Sequence, residues 1–395
     1  MRRAFRRDVA GSEVDYAVES FRSFREITGD FKSAMRKTMA MLLISPKFIY
    51  LVEPSPPTKS ARRLNAYELA TRLSYFLWAS MPDEELLRLA ASEELLQPEV
   101  LREQVHRIRR DAKFQRFVKH FSSQWLGLSA MDHVAVNPKA YPQFSDEIRE
   151  NLKQETLAFA SQVFTKDLSC RNFVSSDFAM LNQVVAQHYG VDGVEGSHFR
   201  PVSLGKDNRR GGVLTQGSVM IMGSDGTESN PIYRGVWLRK RLFADPPPPP
   251  PPGAPPLEKK DTSRLTLKQQ IELHRNTPAC ARCHSRIDPW GIAFEAYDAT
   301  GRIKKKGTKF DAATTLPDGK TVEGMSDLQK YIVRHRSQQL ANALVRRMSS
   351  YALGRKLEFS DNQMVGELTA LFMANDLRPS SLLEGIVTTE AFLTK

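Results

Sequence analysis

Asn65-Ala66-Tyr67-Glu68-Leu69-Ala70-Thr71-Arg72-Leu73-Ser74-Tyr75-Phe76-Leu77-Trp78 decides how the rest of the chain is read. Asn65 followed three residues later by Glu68 is a capping box, in which each side chain satisfies the other's backbone N–H at a helix start. Leu69, Leu73, Phe76 and Leu77 then recur at spacings of three and four, which places them on one helical face. The signature repeats upstream, where Phe21, Phe24, Ile27 and Phe31 keep the same spacing and Met35, Met39 and Leu42 continue it past Gly29. Pro54, Pro56 and Pro57 break the chain between the two. Downstream, Pro82 and Pro98 stand where a first helical turn accepts proline and open helices over 83–91 and 99–110. Phe114, Phe117, Phe121 and Trp125 make the next stripe, and Ser145 caps a helix bearing Ile148, Leu152, Phe159 and Val163. Aromatic stripes at helical spacing read as core, so residues 1–187 are expected to form a helical domain. Glu155, on the last of these helices, reads as a surface carboxylate, with a site acid as the alternative.

Beyond it, residues 188–245 read as a Gly-rich lead-in, irregular from Gly190 to Gly226 and ending in a helix over 234–243. Neither G-x-G-x-x-G nor G-x-x-x-x-G-K-[ST] occurs there, which sets a nucleotide-binding loop aside. Pro246 to Pro252 with Pro255 and Pro256 form a polyproline strut over 246–257, extended at about 3.1 Å per residue. Thr266 and Gln269 then box a helix carrying Leu267, Ile271 and His274, inside a small module over 258–310 where Pro289-Trp290-Gly291 reads as irregular. Residues 311–395 are expected as a C-terminal helical module. A hairpin surrounds Pro317-Asp318-Gly319-Lys320, Ser326 and Gln329 cap a helix, and another runs from 338 to 353 and stops at Gly354. A third starts near Asp361 and a fourth runs from Ser380 to near Phe392. The expected fold is mainly α: multi-helical modules, a Gly-rich irregular segment, a polyproline strut and a small module with a short β-hairpin.

With 41% hydrophobic and 26% charged residues in 395, the chain buries real cores and is not disordered. No stretch approaches the roughly 18 apolar residues of a membrane span. Fifty-seven Lys and Arg against 45 Asp and Glu give a net charge of +12, which invites nucleic acid, anionic lipid or an acidic protein as partner and specifies none of them; a surface with a positive bias is the plainer reading. Lys304-Lys305-Lys306, Arg334 to Arg336 and Arg346-Arg347 are basic clusters without a nucleic-acid module beside them, so no nucleic acid is expected. Met1-Arg2-Arg3-Ala4-Phe5-Arg6-Arg7 is basic but lacks the apolar run and cleavage site of a secretory signal. The chain as it stands is therefore expected either to be cytoplasmic or to lack its natural beginning. Three cysteines cannot build a disulfide framework.

Two of them lie in Cys280-Ala281-Arg282-Cys283-His284, the C-x-x-C-H signature of c-type haem attachment. Two thiols three residues apart on a turn can each add to one vinyl group of the haem edge, and the adjacent imidazole is held close under the iron. Three other readings of the same residues stay open: a thioredoxin-like disulfide, a zinc site completed by Cys170 and His274, and an inert motif. The far side of the iron has Met348, Met364 and Met373 as sulfur candidates and His274 and His335 as nitrogen candidates. Met348, flanked by Arg346, Arg347 and Ser349 on a helix, is the candidate distal ligand, with ordinary core packing as the plainer reading of any one methionine. His274 is expected at the haem edge, against a propionate, because only a few residues and Pro278 separate it from Cys280.

The run from His274 to Arg302, including Ser285-Arg286-Ile287-Asp288-Pro289-Trp290-Gly291-Ile292-Ala293-Phe294-Glu295-Ala296-Tyr297-Asp298-Ala299-Thr300-Gly301, resembles the planctomycetal cytochrome-like proteins. So do Leu64 to Trp78, Gln124-Trp125-Leu126-Gly127-Leu128, Arg210-Gly211-Gly212-Val213-Leu214-Thr215-Gln216-Gly217-Ser218, Leu316-Pro317-Asp318-Gly319-Lys320 and Tyr351-Ala352-Leu353-Gly354-Arg355. The resemblance implies a predicted-secreted protein assembled from modules of unknown function. It carries over Cys280, Cys283 and His284 as a haem motif and sets His274, Asp288, Gly291, Glu295, Asp298, Gly301 and Arg302 in the pattern around it. It implies a covalent haem c, a periplasmic or secreted location and a chain truncated at its N-terminus, but supplies no reaction. Electron transfer is the reading of the haem motif itself, and the basic clusters could dock an acidic redox partner protein or meet the haem propionates. The alternatives are a secreted binding or scaffold module whose C-x-x-C-H is structural or binds another metal, and a haem oxidoreductase.

Overall fold

The computed structural model describes residues 1–51, 62–205, 209–249, 265–275, 278–305 and 307–395, without the side chains of His274, Pro278 and Ala279. The strut from residue 250 onward and Lys306 lie outside the described residues. The chain is mainly helical, with two small two-stranded sheets. It sorts into two compact units, one of residues 1–117, 351–355 and 383–395, the other of 118–350 and 356–382.

The first unit opens with α1 (Arg2–Phe5), α2 (Gly11–Thr28), α3 (Phe31–Leu43), α4 (Pro46–Ile49), α5 (Ala66–Trp78), α6 (Glu84–Ala91) and α7 (Pro98–Arg110). The capping box of α5 closes as its sequence requires: the Glu68 N–H donates to Asn65 Oδ1 at 2.9 Å and the Asn65 N–H to Glu68 Oε2 at 2.8 Å. Leu69, Leu73, Phe76 and Leu77 are all buried. Asp83 caps α6, and α7 carries Pro98 in its first turn.

The upstream stripe does not behave this way. α2 and α3 pack chiefly on one another; their buried residues are the small Ala17, Ala34 and Thr38, and Phe21 meets Phe31 edge-on with ring centroids 5.3 Å apart. Ile27 and Phe31, expected in the core, are 73% and 60% exposed, and Met35 and Met39 are exposed as well. The fully buried positions of this helix pair are small ones, and most of the apolar stripe is left open.

α8 (Phe114–Leu126) keeps its whole stripe inside: Phe114, Phe117, Phe121 and Trp125 are buried. In the second unit, Trp125 stacks its edge on Phe173 at 4.8 Å and donates its indole N–H to the Arg241 carbonyl at 2.8 Å. α9 (Asp146–Thr165) is capped by Ser145. β1 (Phe178–Leu181), α10 (Gln183–Tyr189) and β2 (Arg200–Ser203) follow, the strands antiparallel with Phe178 opposite Ser203 and Leu181 opposite Arg200. Met131, Leu152, Leu181, Val185, Ala186 and Ile221 form a buried cluster beneath them.

The Gly-rich segment is thus less irregular than its composition implies, since it holds β2 and α11 (Gly217–Met222) ahead of α12 (Pro231–Leu242). Its glycines serve close packing: a Cβ on Gly212 would lie 2.4 Å from the Val174 carbonyl oxygen. α13 (Leu267–Arg275) and α14 (Pro278–Ile292) come next, then β3 (Thr314–Thr315) and β4 (Thr321–Val322), an antiparallel hairpin whose turn uses Gly319 at φ +85°. α15 (Met325–His335) starts just before Ser326, and Gly324 rather than Ser326 stands at its N-cap. α16 (Ser337–Leu353) and α17 (Asn362–Ala374) lie close to their expected bounds. The last expected helix is two, α18 (Pro379–Val387) and α19 (Glu390–Leu393), because Thr389 caps a new start by accepting from the Phe392 N–H.

Candidate functional site

The C-x-x-C-H residues are carried by α14, which packs against α12 and α13. α13 begins at the expected box, with the Thr266 N–H donating to Gln269 Oε1 at 2.8 Å and the Gln269 N–H to Thr266 Oγ1 at 3.3 Å. Pro289-Trp290-Gly291 does not break the helix: α14 runs through Pro289 to Ile292. Proline inside a helix costs a hydrogen bond and a steric clash, and here burial of Ile287, Trp290 and Ile292 offsets it. Glycines bring the backbones of α12 and α14 together. A Cβ on Gly235 would sit 2.3 Å from the Ile287 carbonyl oxygen, and one on Gly291 only 1.7 Å from that of Pro231.

The loop after α14 is tied down by one buried cation. The guanidinium of Arg234, wholly buried, donates to the carbonyls of Gly223, Phe294, Tyr297 and Asp298 at 2.8–3.2 Å. Burial pulls its pKa below the usual guanidinium value, against the charges of Glu295 and Asp298. Glu295 is also paired with Lys304 at 3.1 Å, which commits that lysine within the fold. Arg210 donates to the Gly301 carbonyl at 2.9 Å, His188 Nε2 meets the Thr300 carbonyl at 2.9 Å, and the Tyr297 hydroxyl donates to the Arg209 carbonyl. The Arg210–Ser218 string and the Asp298–Arg302 string, read separately in the sequence, form one structure.

On α14 itself, Cys280, Cys283 and His284 stand at i, i+3 and i+4, which puts them on one face. Both thiols are free and partly exposed. One further turn on, Asp288 Oδ1 lies 3.0 Å from His284 Nδ1. The Asp288 side chain has no exposed surface and that of His284 is 19% exposed. Among the described residues, Asp288 Oδ2 has no hydrogen-bond partner. The sequence placed Asp288 in the family pattern without showing what it touches, although the i, i+4 spacing from His284 was the available signal.

The other candidate ligands are dispersed. Met348 is buried on α16, Met364 and Met373 lie on α17, and His335 ends α15 with its ring against Tyr331 at 5.1 Å. His274 is on α13, but its side chain lies outside the described residues. Cys170 is free and buried, and burial drives its thiol well above the usual range. Among the described residues no group of three or more His, Cys, Asp or Glu gathers to hold a metal ion, and no helix is long and apolar enough to cross a membrane.

A second polar centre is buried around Glu155. Glu155 is 2% exposed, not a surface carboxylate. The Tyr189 hydroxyl donates to its Oε2 at 2.7 Å and accepts from the Gly217 N–H at 2.7 Å, while the Arg210 guanidinium lies 3.5 Å over the Tyr189 ring. Burial pushes Glu155 up to about 8. Glu155, Arg210, Thr215 and Gln216 line a cavity of about 10 Å³, close to the space one water needs. A roomier cleft lies elsewhere, in the first unit: about 670 Å³ lined by Phe5, Tyr67, Arg72, Tyr75, Phe76 and Tyr351 among others, none of them a residue of α14.

Four family models match the chain, each described as a protein of unknown function: DUF1595 over residues 1–53, DUF1592 over 64–191, DUF1588 over 210–307 and DUF1585 over 318–392. These are the planctomycete-type, cytochrome-like domains of unknown function. The chain matches four such domains in succession. Its DUF1588 module holds Arg210, Arg234, Cys280, Cys283, His284 and Asp288, its DUF1592 module Glu155 and Tyr189, and its DUF1585 module Met348. No curated protein and no solved structure matches the array.

Proposed function

We propose that the DUF1588 module carries one c-type haem, tied by thioethers to Cys280 and Cys283 with His284 as axial ligand, and that the array passes electrons to a partner protein. The carrying observation is the shared face of α14, where two free, partly exposed thiols one turn apart precede an imidazole whose Nδ1 is already engaged by Asp288. That donor set fits the group: the thiols are reachable, and with Nδ1 engaged, Nε2 is the nitrogen to meet a metal. The haem would supply a one-electron couple. The chain's part is to anchor it through the cysteines, orient His284 from a rigid helix and hold that helix against α12. Met348 is the proposed distal ligand and His274 the proposed contact to a propionate. Thioether attachment takes place outside the cytoplasm, so this reading puts the working protein in the periplasm or beyond. The net charge of +12 suits an acidic redox partner.

The test is a pyridine haemochrome spectrum on protein made with a c-type maturation system. One covalent haem per chain is expected, with one thioether lost in Cys280→Ala or Cys283→Ala and the axial ligand lost in His284→Ala. Absence of covalent haem, or haem content and spectra unchanged in all three variants, overturns the reading.

A further inference from the structure

We propose that Asp288 is a positioning residue that makes His284 a strong axial donor and holds the bound iron at a low reduction potential, an inference that rests on the haem reading above. The Asp288 carboxylate is fully shut from solvent, and its described hydrogen-bond contact is to His284 Nδ1 at 3.0 Å. Its other oxygen has no partner among the described residues. A buried carboxylate is costly unless compensated, so the bond to the imidazole concentrates its whole effect there. Asp288 accepts, which fixes the Nδ1–H tautomer and points Nε2 toward the metal side. A carboxylate acceptor pulls on the Nδ1 proton more strongly than a neutral carbonyl does. The ring becomes more basic at Nε2, which stabilises ferric over ferrous iron. Helix geometry makes the contact durable, since residues four apart on α14 stay neighbours as long as the helix stands.

The experiment compares the haem-loaded full chain with its Asp288→Asn variant, which keeps the shape and a neutral acceptor. Haem content by pyridine haemochrome, midpoint potential by spectroelectrochemistry and the His284 Nδ1–H resonance of the ferrous protein by NMR are read together. The variant is expected to load haem normally and to shift its one-electron equilibrium at least tenfold toward the reduced form, about 59 mV, with a displaced Nδ1–H resonance. A loaded variant with an unchanged potential overturns the proposal and leaves the haem reading standing. So does a raised potential with an unmoved Nδ1–H signal, because that is a through-space charge effect. Wild-type chain that takes up no haem overturns both.

Discussion

Asp288 and Glu155 are both carboxyl groups on helices, both shut from water, and each meets one ring. Asp288 reaches a ring four residues away on its own helix, and that ring is partly exposed. Glu155 reaches Tyr189, 34 residues on, and is influenced by Arg210 beyond that. The first contact is produced by the pitch of one helix and faces an edge that a ligand can reach. The second exists only after α9, α10 and the Gly-rich segment have assembled around it, and it encloses space for about one water. Local geometry gives a site open to chemistry, and long-range assembly gives a sealed polar centre whose charge state is tied to folding.

The largest effect expected from this contrast is in Glu155→Gln. The folded carboxyl is raised from 4.5 to about 8, chiefly by burial. The native state therefore holds the proton that the unfolded chain gives up, and stability falls as pH rises from 4.5 toward 8. Removing the titration should leave the variant about 3–5 kcal/mol more stable than wild type at pH 8, with the gain vanishing near pH 4.5. Urea unfolding at both pH values checks it, and an offset of equal size at each would break the comparison. Next comes Gly291→Ala, which forces a methyl into the Pro231 carbonyl. A loss of about 3 kcal/mol is expected from such overpacking, and an unchanged unfolding midpoint would mean that the α12–α14 contact does not frame the Asp288 site. The smallest is Tyr189→Phe, which removes a donor to Glu155 and an acceptor for Gly217 at about 1–2 kcal/mol. Because the Tyr189 hydrogen bond lowers the Glu155 pKa, its loss should also raise the carboxyl titration followed by carbon-13 NMR. A downward move would contradict the sealed environment assigned to that group.

Much of the fold was legible wherever a signal was local. The boxes at Asn65–Glu68 and Thr266–Gln269, the Ser145 cap and the hairpin at Gly319 rest on contacts within a few residues, and all are present. Apolar periodicity was a weaker guide. The Phe114–Trp125 stripe and the Phe21–Phe31 stripe look alike in sequence, yet the first is buried while Ile27 and Phe31 lie open. Periodicity says which residues share a face and leaves open whether another element covers it. Pro289 misled for a related reason: the helix-breaking cost is local, and the packing on α12 that offsets it comes from about 50 residues earlier in the chain. At the site, C-x-x-C-H and the i, i+4 position of Asp288 were in plain view, whereas nothing near Glu155 in sequence announced Tyr189 or Arg210.

The amino-acid sequence by itself determined the helical character, the capped starts, the hairpin and the placement of Cys280, Cys283 and His284 within one turn of each other. Each depends on backbone geometry over five residues or fewer, which no distant contact has to supply. Tertiary structure alone decided which apolar stripe is core, that α14 survives its proline, that Arg234 binds the loop after α14, and that Glu155 keeps its proton near neutral pH. Those outcomes turn on desolvation and close packing, and both are set by which surfaces the assembled helices bring together rather than by any residue's immediate neighbours.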